Sequence, residues 1–123
     1  MSAQTLLGRK NVEDLGFILS HEHLKINFEV SFHSSPLCPL PTDYNLKLLT
    51  LPDSAFVRQY PYHFRNNLDY SDYNAALESL VNYKNLGGGT IVEVSTVGLQ
   101  RDPEICAKLS EESGINVVMD KFS

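Results

Sequence analysis

From residue 71 onward two hydrophobic periodicities alternate along the chain, and this restricts the fold more than any other feature. Tyr73, Ala76, Leu77, Leu80, Val81 and the aliphatic stem of Lys84 recur at three- and four-residue spacing, the apolar stripe of an amphipathic helix. Ser71 or Asp72 is placed to cap it. Gly87-Gly88-Gly89 ends it, because glycine takes the left-handed cap at no steric cost. Residues 90–96, rich in β-branched side chains, read as a strand. Asp102 then serves as an N-cap with Pro103 at the first helical position. Ile105, Leu109 and Ala107 supply the buried side, Gly114 stops the helix, and residues 115–119 form another strand.

Upstream, residues 17–24 form a run of strand length with a bulky apolar start, which reads as a buried strand of a parallel sheet. The order is strand, long excursion, helix, strand, helix, strand. Such alternation predicts right-handed βαβ units and a parallel sheet.

The excursion is irregular. Pro36, Pro39, Pro41, Pro52 and Pro61 interrupt it, each fixing its own φ and restricting the residue before it. Phe28, Phe32, Tyr44, Phe56, Tyr60, Tyr62 and Phe64 argue for a packed segment with a short helix around 46–60, and against a disordered linker. A structureless loop of this length inside a domain is unusual unless it is functional. Before the first strand, Thr5-Leu6-Leu7-Gly8 reads as an extended arm and residues 11–16 as a turn.

A formal charge of −5 and a pI near 5.2 speak against nucleic-acid and anionic-membrane partners, which attract net bases. Arg9-Lys10 is the one basic pair. The start lacks a basic and apolar leader pattern, and no apolar run nears the ~20 residues of a membrane span. A soluble, cytoplasmic protein is expected. Cys38 and Cys106 show no metal-site spacing and are read as reduced thiols.

The chemistry concentrates in His21-Glu22-His23. On a strand, residues two apart project to one face, so both imidazoles can reach one divalent ion while Glu22 points the other way. The helical HExxH pattern of zinc proteases is a different arrangement. The pair lies at the C-terminal end of the first strand, where ligands gather in parallel α/β folds.

Residues 16–24, Gly-Phe-Ile-Leu-Ser-His-Glu-His-Leu, are similar to the first signature of the phosphotriesterase family. Residues 88–96 followed by Gly98-Leu99-Gln100-Arg101-Asp102 resemble its second strand and the turn after it, and 111–118 resemble the next helix end and third strand. Blocks and spacing agree up to about Val118. The aromatic, proline-rich segment is closest to the phosphotriesterase-related branch. The resemblance implies the N-terminal part of a (β/α)₈ TIM barrel of the metal-dependent hydrolase type, with about three strands present. It implies a single truncated domain over 1–123: an arm and first barrel strand at 1–24, a long irregular loop at 25–70, and an αβαβ portion at 71–123.

It further implies two metal ions, usually zinc, that activate water against a phosphoryl or acyl centre of a small-molecule substrate. His21 and His23 carry over as ligands of the more buried ion. The family's other ligands come from later strands, so at most weak partial metal binding and no complete catalytic set are expected here. Ile18 stands where threonine is usual, on the strand's core side, and the tail 119–123 departs from the family pattern.

Other candidates have plainer readings. Glu93 reads as a structural acid bonded to neighbouring backbone or to Arg101; a place near the metals in the second shell or at the substrate is the alternative. Arg101-Asp102 reads as a turn joined to a helix cap, with substrate contact by Arg101 as the alternative. The glycine run ends a helix, whereas a phosphate cradle runs from strand to helix. His33 and His63 read as surface or packing groups, and Tyr60, Tyr62 and Phe64 as a satellite core or pocket wall.

Two functional readings follow. The first is a phosphotriesterase-related zinc hydrolase acting on ester or amide-type bonds, represented by an incomplete chain. The second is a non-catalytic isoform or gene fragment that self-associates through an open sheet edge. A stand-alone mononucleotide-binding module is disfavoured, since no GxGxxG follows the first strand.

Overall fold

The computed structural model describes residues 1–120, with Thr42 by its backbone only. The altered tail lies largely outside them, at residues 121–123. In chain order the elements are β1 (Ser2–Thr5), β2 (Gly8–Asn11), β3 (Phe17–Glu22), β4 (Ile26–Asn27), α1 (Ser54–Gln59), β5 (Asp69–Tyr70), α2 (Tyr73–Asn85), β6 (Gly88–Glu93), α3 (Pro103–Ser113) and β7 (Asn116–Met119). Short 3₁₀ turns fill much of the rest.

The chain divides into two compact units. Residues Met1–Ile26 with those from Ser71 onward form the first, and Asn27–Tyr70 the second. The second unit covers most of the stretch read as a packed, irregular excursion.

In the first unit β3, β6 and β7 form a parallel sheet in that order. Both helices start and stop for the reasons the residues supply. Asp72 caps α2 by accepting from Ala75 N–H at 3.1 Å, and Asp102 caps α3 by accepting from Ile105 N–H at 3.1 Å. Gly114, at φ +71, closes α3, and Lys84 Nζ donates to its carbonyl at 2.8 Å.

Leu80, Ile91, Leu109 and Ile115 form the core between helices and sheet, with Leu19, Leu24, Tyr73, Ala76, Leu77, Tyr83 and Ile105 packed on it. Burying a leucine of this kind contributes about 1.5–3 kcal/mol. Val81, placed on the same stripe by its spacing, is 38 % exposed. Cys106 is fully buried, a position absent from the expected buried side of Ile105, Leu109 and Ala107.

The glycine run divides its labour. Gly87, at φ +97, turns the chain out of α2, while Gly88 and Gly89 already belong to β6. A Cβ on Gly89 would collide with the Leu15 carbonyl and Gly16 Cα. The position is glycine because backbone from before β3 passes directly against it.

Three expectations need correction. β3 is not a buried strand: Phe17 is 67 % and Ile18 42 % exposed, and it is Leu19 that packs on the core. Among the described residues β3 has a strand neighbour on one side only, so one edge and much of one face go uncovered. The N-terminal arm is a hairpin, β1 antiparallel to β2, with Leu6 N–H donating to Val117 O at 2.9 Å. Gly8, at φ +120, makes that turn possible. The helix expected around 46–60 is shorter, Ser54–Gln59, because Pro52 and Pro61 bound it.

The second unit is held by polar contacts around a few aromatics. Asp53 accepts from Thr50 N–H and Oγ1 at 2.8 and 2.7 Å and from Lys47 Nζ at 2.8 Å. Lys47 and Thr50 together hold the Asp53 carboxyl down at about 2. The Arg65 guanidinium lies 3.9 Å from the centre of the Phe32 ring, and Phe28 N–H donates to Leu68 O at 2.7 Å.

Candidate metal centre at the strand ends

His21 lies in the last turn of β3's ladder and His23 just beyond it. A regular strand would put Leu19, His21 and His23 on one face, and Leu19 packs on the helix-side core. Leu19 pairs with Ile91 and Glu22 with Glu93, so three steps on β3 match two on β6, a bulge that interrupts the regular alternation between Leu19 and Glu22. Leu24, the residue after His23, packs on the core.

The two imidazoles meet edge to face, with ring centres 5.5 Å apart and planes at 83°. Both residues are exposed. Neutral imidazole nitrogens are zinc donors, so the pair fits a divalent ion as two of its ligands. Among the described residues no group of three or more His, Cys, Asp or Glu comes together to complete such a set.

Glu93 is 1 % exposed and works as a clamp between strand ends. One carboxylate oxygen accepts from Leu24 N–H at 2.5 Å and the other from Ser95 N–H at 2.6 Å. Its Oε1 also lies 3.9 Å from His23 Nδ1. Ser95, itself 4 % exposed, places Oγ 2.8 Å from that same nitrogen. Sequence reasoning missed Ser95, whose partner His23 lies 72 residues earlier.

Arg101 sends Nη1 to the carbonyl of Asp120, 3.0 Å away beyond β7. Lys25 Nζ reaches Asp102 Oδ2 at 3.0 Å, tying the segment after His23 to the start of α3. The Ile105 amide, and then Lys25, hold the Asp102 carboxyl below its ordinary range. Cys106 is an inert thiol: burial, with the Glu93 and Asp102 carboxylates adding, pushes it up to about 12. Cys38 and Cys106 are both free.

The remaining histidines lie in the second unit. His33 is exposed and stacks on Tyr62 with ring centres 5.6 Å apart. His63 is buried, and its Nδ1 accepts from Ser35 N–H at 3.0 Å. Tyr60 Oη donates to Leu37 O at 3.0 Å, and Phe64 is fully buried. No described helix is long and apolar enough to cross a membrane.

Comparison with known proteins decides the lineage. Residues 1–121 match the model of the Phosphotriesterase family. The chain belongs to the phosphotriesterase family. N-acetyltaurine hydrolase of Xenopus tropicalis is 37 % identical over 123 residues, covering 94 % of this chain and 33 % of that protein. A phosphotriesterase-related protein of Aedes aegypti is 36 % identical over 109 residues, covering 86 % and 30 %. Among solved structures, a resiniferatoxin-binding protein from Rhodobacter sphaeroides superposes with a TM-score of 0.89 at 25 % identity, covering 96 % of this chain and 33 % of that one. A lactonase from Listeria monocytogenes gives 0.62 at 23 % identity, covering 97 % and 27 %.

The chain thus spans about a third of the length of the curated relatives it matches. Its α/β architecture, with three parallel strands in the order β3-β6-β7, is the N-terminal part of the family's TIM barrel. Within that family its relatives carry hydrolase and phosphotriesterase-related names.

Proposed function

We propose that this sequence carries the first two metal ligands of a zinc-dependent, phosphotriesterase-related hydrolase that cleaves an ester or amide-type bond in a small molecule. The observation that carries the reading is the edge-to-face meeting of the His21 and His23 rings, 5.5 Å apart, at the end of β3. His21 and His23 would hold a divalent ion there, which when bound would supply acidified water and polarise the scissile group. The chain's own part is to fix two imidazoles in place, with Glu93 and Ser95 bracing the strand ends behind them.

The similarity to N-acetyltaurine hydrolases favours a carboxylic amide over a phosphotriester, with N-acetyltaurine as the first substrate to try. The test is hydrolysis of N-acetyltaurine, a lactone and a phosphotriester by a zinc-loaded protein of the relatives' length that carries this N-terminal portion. Turnover of the amide that disappears in His21→Ala and His23→Ala supports the reading. Unchanged metal content and turnover in both variants overturns it.

Catalytic zinc takes three protein ligands and a water, so residues 1–120 alone are expected to bind zinc weakly and to catalyse nothing. A second reading therefore applies to this chain by itself. The exposure of Phe17 and Ile18 on a strand with one neighbour favours self-association through the sheet edge. Sedimentation over a concentration series tests it: a monomer at every concentration removes this reading.

A further inference from the structure

We infer that Ser95 is a positioning residue for His23: it holds the ring in the Nδ1–H tautomer and so presents the Nε2 lone pair to a divalent cation. The inference deepens the hydrolase reading and rests on it for the identity of the ligand, but not for the tautomer. Ser95 Oγ and His23 Nδ1 are 2.8 Å apart, a hydrogen bond in which either atom can supply the proton. The direction decides the chemistry. If the hydroxyl donates, the ring proton sits on Nε2 and that nitrogen cannot bind metal. If Nδ1–H donates, Nε2 is free.

The surroundings favour the second arrangement. Glu93 Oε1 lies 3.9 Å from Nδ1, and a carboxylate oxygen attracts an N–H dipole and repels a lone pair. Glu93 is itself immobilised by Leu24 N–H and Ser95 N–H. One acid therefore fixes the backbone after His23 and the residue whose hydroxyl receives the ring proton. Ligating histidines characteristically give their second ring proton to such an outer partner. Ser95 is buried, so water does not readily replace its hydroxyl.

The test is the ¹⁵N spectrum of the chain with labelled histidines, metal-free and at alkaline pH, where imidazoles are neutral. Wild type is expected to show His23 as Nδ1–H, the form free histidine disfavours. Ser95→Ala, which keeps the backbone N–H that Glu93 needs, is expected to lose that signature; Ser95→Thr, which restores the hydroxyl, is expected to regain it. An Nε2–H signal in wild type overturns the proposal, and so does an unchanged Nδ1–H signal in Ser95→Ala. Added Zn²⁺ alone should then move the Nε2 resonance of His23, and movement of Nδ1 as the bound nitrogen would contradict the assignment. A chain that ignores Zn²⁺ but shows the tautomer switch refutes its reading as a metal centre and leaves the role of Ser95 standing.

Discussion

Glu93 on β6 accepts a hydrogen bond at 2.5 Å from the amide of Leu24, which follows His23 directly, across 69 residues of sequence. The second oxygen of the same carboxylate takes the Ser95 amide. Two backbone donors near the strand ends thus depend on one buried side chain.

Replacing that carboxylate by an amide turns one acceptor into a donor facing a donor. Leaving a buried amide unsatisfied costs about 1–3 kcal/mol. Glu93→Gln is therefore expected to lower the unfolding free energy by that amount, read as a lower urea midpoint with an unchanged slope. An unaltered midpoint shows that the clamp carries no stability.

Gly89 presents a steric dependence of the same kind. An added methyl meets the Leu15 carbonyl and Gly16 Cα, both backbone, so neither yields by a rotamer change. Overpacking of this sort costs about 1–3 kcal/mol. Gly98→Ala is the control, since its Cβ would meet only Thr96 Oγ1 at 3.8 Å. Gly89→Ala is expected to lower the melting temperature while Gly98→Ala leaves it within error.

The second unit should weaken in acid. Hydrogen bonds from Lys47 first, and from Thr50, depress Asp53 from 3.8 to about 2. A depressed carboxyl contributes stability that is fully present above its unfolded value and is lost as protons bind the folded form. The loss therefore begins as pH falls through 3.8 and is complete below about 2. Hydrogen exchange at the Thr50 amide, which donates to Asp53, should accelerate across that window relative to the intrinsic rate. Asp53→Asn should flatten the dependence, and added salt should weaken it in wild type.

Much of this fold was legible because its punctuation is local. Asp72, Asp102, Pro103 and Gly114 act as caps within one helical turn of where they stand, so the sequence marks both helices closely. Long-range packing was less visible. Leu15 and Gly89 lie 74 positions apart in the chain and meet through their backbones, and nothing near either residue signals it. The bulge between Leu19 and Glu22 was also hidden. Simple alternation puts His21 and His23 together, as their rings are found, but only the pairing with β6 reveals that the alternation is broken after Leu19. Ser95 went unseen for a similar reason: a lone serine after a strand has no pattern, and its meaning comes from a histidine 72 residues earlier.

The central claim is that His21 and His23 act together as metal ligands. It is tested most directly by titrating Zn²⁺ into this chain and following all four imidazoles by NMR. The account predicts that His21 and His23 shift together and saturate, that either alanine substitution abolishes the effect at both, and that His33 and His63 stay still. Independent shifts of His21 and His23, or a response confined to His33, would contradict it.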